Sequence, residues 1–299
     1  MTRFLIVPQW QGSPAARAMH LVDGAEAIAG DLPRARTVRV EVPTSAGEAL
    51  DTGIRRYSAL SRTADAVRDA LAAGAPDTRT PEGSTPAADL DAAAAPTEAA
   101  APAEPALVVG GDCGVAVPAI AHAAAAHDRL AVVWFDAHGD LNSPASSPSG
   151  AFAGMALRAV IDDLPLPSGG PIVPAERVIL AGARELDDAE ETAATDAGVL
   201  RLSVEDLDGP ERLADAVAAT GATALYIHVD LDVLDPAVIS GVGLPVPFGL
   251  SLDALLRSIA EARARVPLVG ASIAGFAPAS PAAAVDDLGT ILRVVGALA

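Results

Sequence analysis

The chain has 299 residues, of which 51% are hydrophobic and only 3% aromatic, and it carries a formal net charge of −19. That length is ample for a sizeable core, while the acidic balance and the absence of lysine exclude nucleic acid and anionic membrane surfaces as expected partners, since both are held by clustered basic side chains. The lone cysteine, Cys113, rules out an internal disulfide and points to a reducing, cytoplasmic setting; no uncharged apolar run reaches the roughly 18 residues of a membrane span, and the apolar part of MTRFLIVPQW is too short for a secretory leader.

In chain order, Phe4–Val7 reads as a strand, Ala15–Ile28 as a helix that exits through Asp31 and Pro33, and Thr37–Val42 as a strand with one exposed face. Apolar residues recur at helical spacing over Ile54–Ala73. Residues 75–105 are Pro, Ala, Thr, Glu and Gly without periodicity, a low-complexity surface insertion or disordered loop. A regular alternation follows: strand 106–109, helix 114–127, strand 130–135, a Ser/Pro-rich loop at 142–150, a helix over Gly154–Ile161, strand Arg177–Ala181, helix Asp187–Ala197 and strand 224–229. Helix Leu252–Ala264, strand Pro267–Ile273 and helix Val285–Leu298 close the chain. Strands alternating with helices predict a mostly parallel sheet covered on both faces, in one large α/β domain or two small ones.

Three strand ends carry chemistry. The run LAVVWFDAHGDLNSP breaks from an apolar strand into Asp136, His138 and Asp140, and an extended backbone puts every second residue on one side. Ala224–Val229 leads in the same way into Asp230 and Asp232, and 106–109 opens into Gly110, Gly111, Asp112 and Cys113. A single Asp after a strand is ordinarily a cap or a turn residue. Paired carboxylates at matching strand ends are different, because the carboxyl ends of parallel strands are where such sheets bind ligands. Asp136, Asp140, Asp230 and Asp232 with His138 would repel one another or take up protons if left alone. Two divalent cations about 3.5–4 Å apart would balance the charge and activate water between them, and oxygen-rich ligation with imidazole favours manganese.

GGDC at 110–113, DAHGD at 136–140 and DLDVLDP at 230–236 resemble the three signature motifs of the ureohydrolases, the family of arginase, agmatinase and formiminoglutamase, over roughly residues 105–298. The resemblance implies an arginase-like, three-layer α/β/α fold with a mostly parallel sheet, built as a single domain over 1–299, a dinuclear manganese centre and hydrolysis of a guanidino C–N bond. By motif position it implies that Asp136 bridges the ions together with Asp230 or Asp232, the family pattern favouring Asp230. His138 and Asp232 would complete one ion, and Asp140 and Cys113 the other. In the same comparison Asn142, Ser147 and Ser149 fall where arginases hold an amino acid's carboxylate, and Asp187 where they hold its α-amino group. Asp140 would carry the proton to the leaving amine.

Three positions depart from that pattern. Cys113 stands where the first motif ends in His, and a thiolate there makes zinc, iron or cobalt more competitive with manganese. Ala153 replaces a proton-shuttling His, and Gly275 replaces a Glu that faces the guanidinium. The expected activity is therefore hydrolysis of an arginine-like guanidino amino acid, arginine or N-hydroxyarginine, to urea or hydroxyurea plus ornithine. N-hydroxylation lowers guanidine basicity and lessens the need for that Glu. The losses at 113, 153 and 275 support an alternative, a metal-binding protein of this fold with impaired hydrolysis and a regulatory or scaffold role. A third reading takes the acidic cluster as a solvated face without metal. His20, His122 and His127 read as surface or packing residues, and His228, two residues before Asp230, as a side chain able to support the ligands. The sequence carries no signal for oligomeric state.

Overall fold

The computed structural model describes residues 2–74, 105–162, 164, 173–209 and 211–299. Most of the low-complexity stretch at 75–105 lies outside the described residues. Among the described residues, eight strands form one sheet: β1 (Arg3–Val7), β2 (Thr37–Arg39), β3 (Ala106–Gly110), β4 (Leu130–Phe135), β5 (Val178–Ala181), β6 (Leu200–Leu202), β7 (Ala224–Asp230) and β8 (Leu268–Ala274). Their order is β2-β1-β3-β8-β7-β4-β5-β6, and every pairing is parallel.

The connecting helices are α1 (His20–Gly30), α2 (Tyr57–Ala72), α3 (Ala116–Ala126), α4 (Ala156–Ile161), α5 (Asp188–Ala197), α6 (Glu211–Ala219), α7 (Leu252–Arg265) and α8 (Pro281–Leu298). Strand side chains alternate between two cores. Leu5, Val108, Val132, Trp134 and Tyr226 pack with α2, α3, α4 and α5, while Phe4, Ile6, Val133, Ile227 and Ile273 pack with α1, α6, α7 and α8. Covered on both sides, the central strands read as unbroken apolar runs, and all six residues of β4 are buried. The three-layer α/β/α expectation holds.

The helix expected over Ala15–Ile28 begins only at His20. Residues 15–19 form turns closed by i to i−3 bonds, such as His20 N to Arg17 O at 2.9 Å, and no side chain caps the helix at Met19. Strand β2 is shorter than expected, and β6 and α6 fall where no element was expected. Helix 114–127 opens with a 3-10 turn at Cys113–Val115 before α3.

Parallel pairing brings the carboxyl ends of β3, β8, β7 and β4, four neighbours in the sheet, to one edge. The β1 end joins them through Gly111, whose N–H donates to Val7 O at 3.1 Å while Gln9 O crowds its α-carbon. A Cβ at 111 would fall 1.6 Å from that oxygen, so only glycine lets the two strand ends meet.

Candidate metal centre

Each acidic side chain is held by its own strand end. Asp136 follows β4 directly; its Oδ1 accepts from His138 N at 2.8 Å and its Oδ2 from Trp134 Nε1 at 3.2 Å. Asp230 ends β7 and caps the following turn, accepting from Asp232 N at 3.0 Å, and Asp232 accepts from Ala137 N at 3.1 Å, which ties the β7 loop to the β4 loop. The Arg184 guanidinium clamps the far side of that loop by donating to Asp232 O at 2.9 Å and Val246 O at 2.7 Å. Asp140 sits in the left-handed region at φ 52°, a conformation Asp tolerates better than most residues, and its Oδ2 is buried with no hydrogen-bond partner.

The side chains converge. His138 Nδ1 lies 3.3 Å from Asp136 Oδ1 and 3.1 Å from Asp232 Oδ2. The Cys113 thiol donates to Asp230 Oδ2 at 2.8 Å and lies 3.7 Å from Asp136 Oδ2. All six residues expected as metal ligands line one cavity of about 550 Å³. Its remaining wall includes Ala15, Arg17, Val242 and Leu244, together with Ala153 and Gly275, the positions where the expected His and Glu are absent.

The electrostatics are those of a crowded cluster. Burial, with the Asp232 charge adding to it, pushes Asp230 up to about 7. Burial and the Asp136 charge also raise Asp232 and carry Asp140 well above the usual carboxylate range. The Cys113 thiol is held well above its ordinary value by burial and by Asp230, Asp140 and Asp136. Burial alone would lower His138, yet its bonds to Asp136 and Asp232 outweigh that and push it up to about 12. Protons thus do here what cations would do better. The donor set fits divalent ions: ligating atoms of Asp136, His138 and Asp232 lie within 4.8 Å of one another, those of Cys113, Asp136 and His228 form a second such group, and Asp136 is common to both.

The residues expected to hold an amino acid lie outside the cavity wall. Asn142 is buried, and its Nδ2 donates to Asp187 Oδ2 at 2.8 Å. Asp187 caps α5 by accepting from Ala189 N and Glu190 N, each at 2.9 Å. The Ser147 and Ser149 hydroxyls accept from Gly150 N at 3.0 Å and Ala151 N at 3.1 Å and shape their own loop.

Glu190 was not expected so close to the cluster, whereas His228 was expected as a side chain able to support the ligands. Glu190 lines the cavity and accepts from Leu141 N at 3.2 Å; the D-x-x-E spacing of Asp187 and Glu190, a capping box, marked its position in the chain but not its place in the wall. His228 stacks on Trp134 beside Cys113. His20 also lines the cavity, whereas His122 and His127 line a separate cavity of about 150 Å³. Among the described residues no helix is long and apolar enough to cross a membrane.

The arginase family model matches residues 45–288. The arginase of Bacillus caldovelox is 36% identical over 155 residues, covering 48% of this chain and 52% of its own, and that of Brevibacillus brevis is 38% identical over 155 residues with the same coverage. The chain thus spans about half the length of the curated relatives it matches. Among solved structures, Entamoeba histolytica arginase in complex with L-ornithine superposes with a TM-score of 0.79 at 22% identity, over 99% of this chain and 97% of its own. Proclavaminate amidino hydrolase from Streptomyces clavuligerus gives 0.66 at 22% identity, over 99% and 90%. These structural likenesses concern the fold.

Proposed function

The chain belongs to the arginase family, and from that premise we propose that it hydrolyses the guanidino C–N bond of an arginine-like amino acid, arginine or N-hydroxyarginine, to urea or hydroxyurea and ornithine. One observation carries this reading: four buried carboxylates, a thiol and an imidazole from three strand ends share one cavity. Two divalent ions held by Cys113, Asp136, His138, Asp140, Asp230 and Asp232 would supply Lewis acidity and a water acidic enough to attack at neutral pH. Manganese is the first expectation, and the Cys113 sulfur brings zinc, iron and cobalt into competition.

The chain's own residues do the rest. Asp140 lines the cavity with an unpartnered oxygen, so it takes the proton released on attack at the guanidino carbon and passes it to the leaving amine nitrogen. Asn142, Ser147 and Ser149 are assigned to the substrate's α-carboxylate and Asp187 to its α-ammonium. The Asn142–Asp187 bond and the capping box through Glu190 link Asn142 and Asp187 to the cavity wall. Gly275 contributes no anion of its own to pair with a guanidinium, which supports the less basic N-hydroxyarginine.

A second reading, a metal-binding protein of this fold with impaired hydrolysis, is favoured by Ala153 and Gly275, which line the cavity without a group that can carry a proton. Assay of arginine, N-hydroxyarginine, agmatine and formiminoglutamate with manganese separates the two. Turnover of an arginine-like amino acid supports hydrolysis; a manganese-loaded protein that turns over none of the four supports the second reading.

A further inference from the structure

We propose that His228 is itself a metal ligand, joining Cys113 and Asp136 on one ion and so returning from β7 the imidazole that position 113 lacks. The inference rests on the metal-dependent reading above and deepens it.

Alternation along β7 puts His228 on the same sheet face as Asp230, while Ile227 and Val229 enter the opposite core. The ring is wholly buried. Its Nδ1 lies 2.8 Å from Ser272 Oγ on β8, and its face stacks on Trp134 with centroids 3.9 Å apart and planes at 37°. Those two contacts fix both the position and the rotation of the imidazole. Nε2, by contrast, is buried with no hydrogen-bond partner, although buried ring nitrogens are ordinarily satisfied. A ligating atom of His228 lies within 4.8 Å of those of Cys113 and Asp136. With Nδ1–H donating to Ser272, Nε2 presents a bare lone pair, which is how metal-bound histidines are usually oriented. Ser272 is then a positioning residue.

His228 does not line the cavity; Cys113 and Asp136 do, so an ion that reaches His228 sits between them. Because Asp136 also belongs to the group with His138 and Asp232, it would be a carboxylate within reach of both ions. The ion at Cys113 then meets sulfur, nitrogen and oxygen donors, a set suited to cobalt or zinc, and its neighbour meets a harder set suited to manganese.

The test uses the full chain, stripped with chelator and titrated with Co2+. X-ray absorption at the cobalt edge of the unaltered protein is expected to count one sulfur and two imidazoles across two ions. His228→Ala and the closer-sized His228→Gln should each weaken one ion at least about tenfold and alter the thiolate-to-cobalt charge-transfer band. His138→Ala should weaken the other ion and leave that band in place. Two bound ions with a single imidazole, or an unchanged affinity and band in both folded His228 variants, would overturn this assignment and leave the hydrolase reading standing. Failure of the unaltered protein to take up either cobalt or manganese would overturn both.

Discussion

Two buried aspartates at this edge of the sheet, Asp112 and Asp140, meet opposite fates. Asp112 accepts from Gln9 Nε2 at 2.9 Å, Gly12 N at 2.8 Å and Gly114 N at 3.0 Å, and in doing so ties the β1 loop to the β3 loop. Asp140 keeps one oxygen with no donor at all and faces Asp136 and Asp230 as like charges. A buried carboxylate surrounded by N–H groups is structural, and one surrounded by other carboxylates is waiting for a cation. Asp287 belongs to the first kind, accepting from Ser240 N at 3.1 Å and Gly241 N at 2.7 Å. Proximity to the motif therefore does not decide the role; crowding by other carboxylates does, since Asp136, Asp230 and Asp232 accept N–H bonds as well.

That contrast can be broken most severely at Asp140. Asn is close in shape and tolerates the left-handed backbone there, so Asp140→Asn should leave metal-free melting unchanged or raise it. Metal-supported hydrolysis should fall more than about 100-fold, a loss consistent with removing a ligand rather than its outer support. Asp112→Asn should do the reverse. Loss of one acceptor strands a buried donor and costs about 1–3 kcal/mol in chemical denaturation, while the count of bound ions stays the same.

Gly275→Ala probes the boundary between the two kinds. Gly275 lies at φ +87°, and a Cβ there would sit 2.2 Å from Asp230 Oδ1. Backbone strain of about 1–2 kcal/mol should appear in the melting curve, accompanied by weaker metal binding as Asp230 is displaced. The same crowding shows why a Glu at 275 does not fit this geometry without a shift of Asp230.

The smallest effect expected is a pH dependence of the metal-free protein. Burial raises Asp112 to about 6 and Asp230 to about 7 from 3.8, and His138 rises from 6.5 to about 12. Each contribution is complete below the unfolded value and is lost as pH rises through the folded one. Melting temperature should therefore fall from about pH 4 to about pH 8, by several degrees. Cations replace those protons, so added Mn2+ should raise melting more at the upper end of that range. A metal-free melting temperature that rises with pH would show that these groups do not set the balance.

Much of the centre was legible in the sequence because the signals are local. An apolar run ending in alternating Asp, His and Asp states both the strand and the face, and Asp136, His138, Asp140, Asp230 and Asp232 meet in one cavity. For His228 the sequence offers a place near the ligands but not the orientation of the ring, which Ser272 on β8 and Trp134 on β4 set from distant parts of the chain. Strand β6 was missed because its three residues, Leu200, Arg201 and Leu202, are too few to establish a period. The alanines at 15, 16 and 18 favour a helix, yet no side chain caps one at Met19 and these residues form turns before α1 begins at His20. The partners of Asn142 were equally hidden, since its bond to Asp187 spans 45 residues of chain.

The central claim is that the carboxylates at the ends of β4 and β7 gather divalent cations. Equilibrium dialysis of the chelator-stripped protein against Mn2+, followed by elemental analysis, tests it most directly. The account predicts two ions per chain; a protein that emerges with none would contradict it.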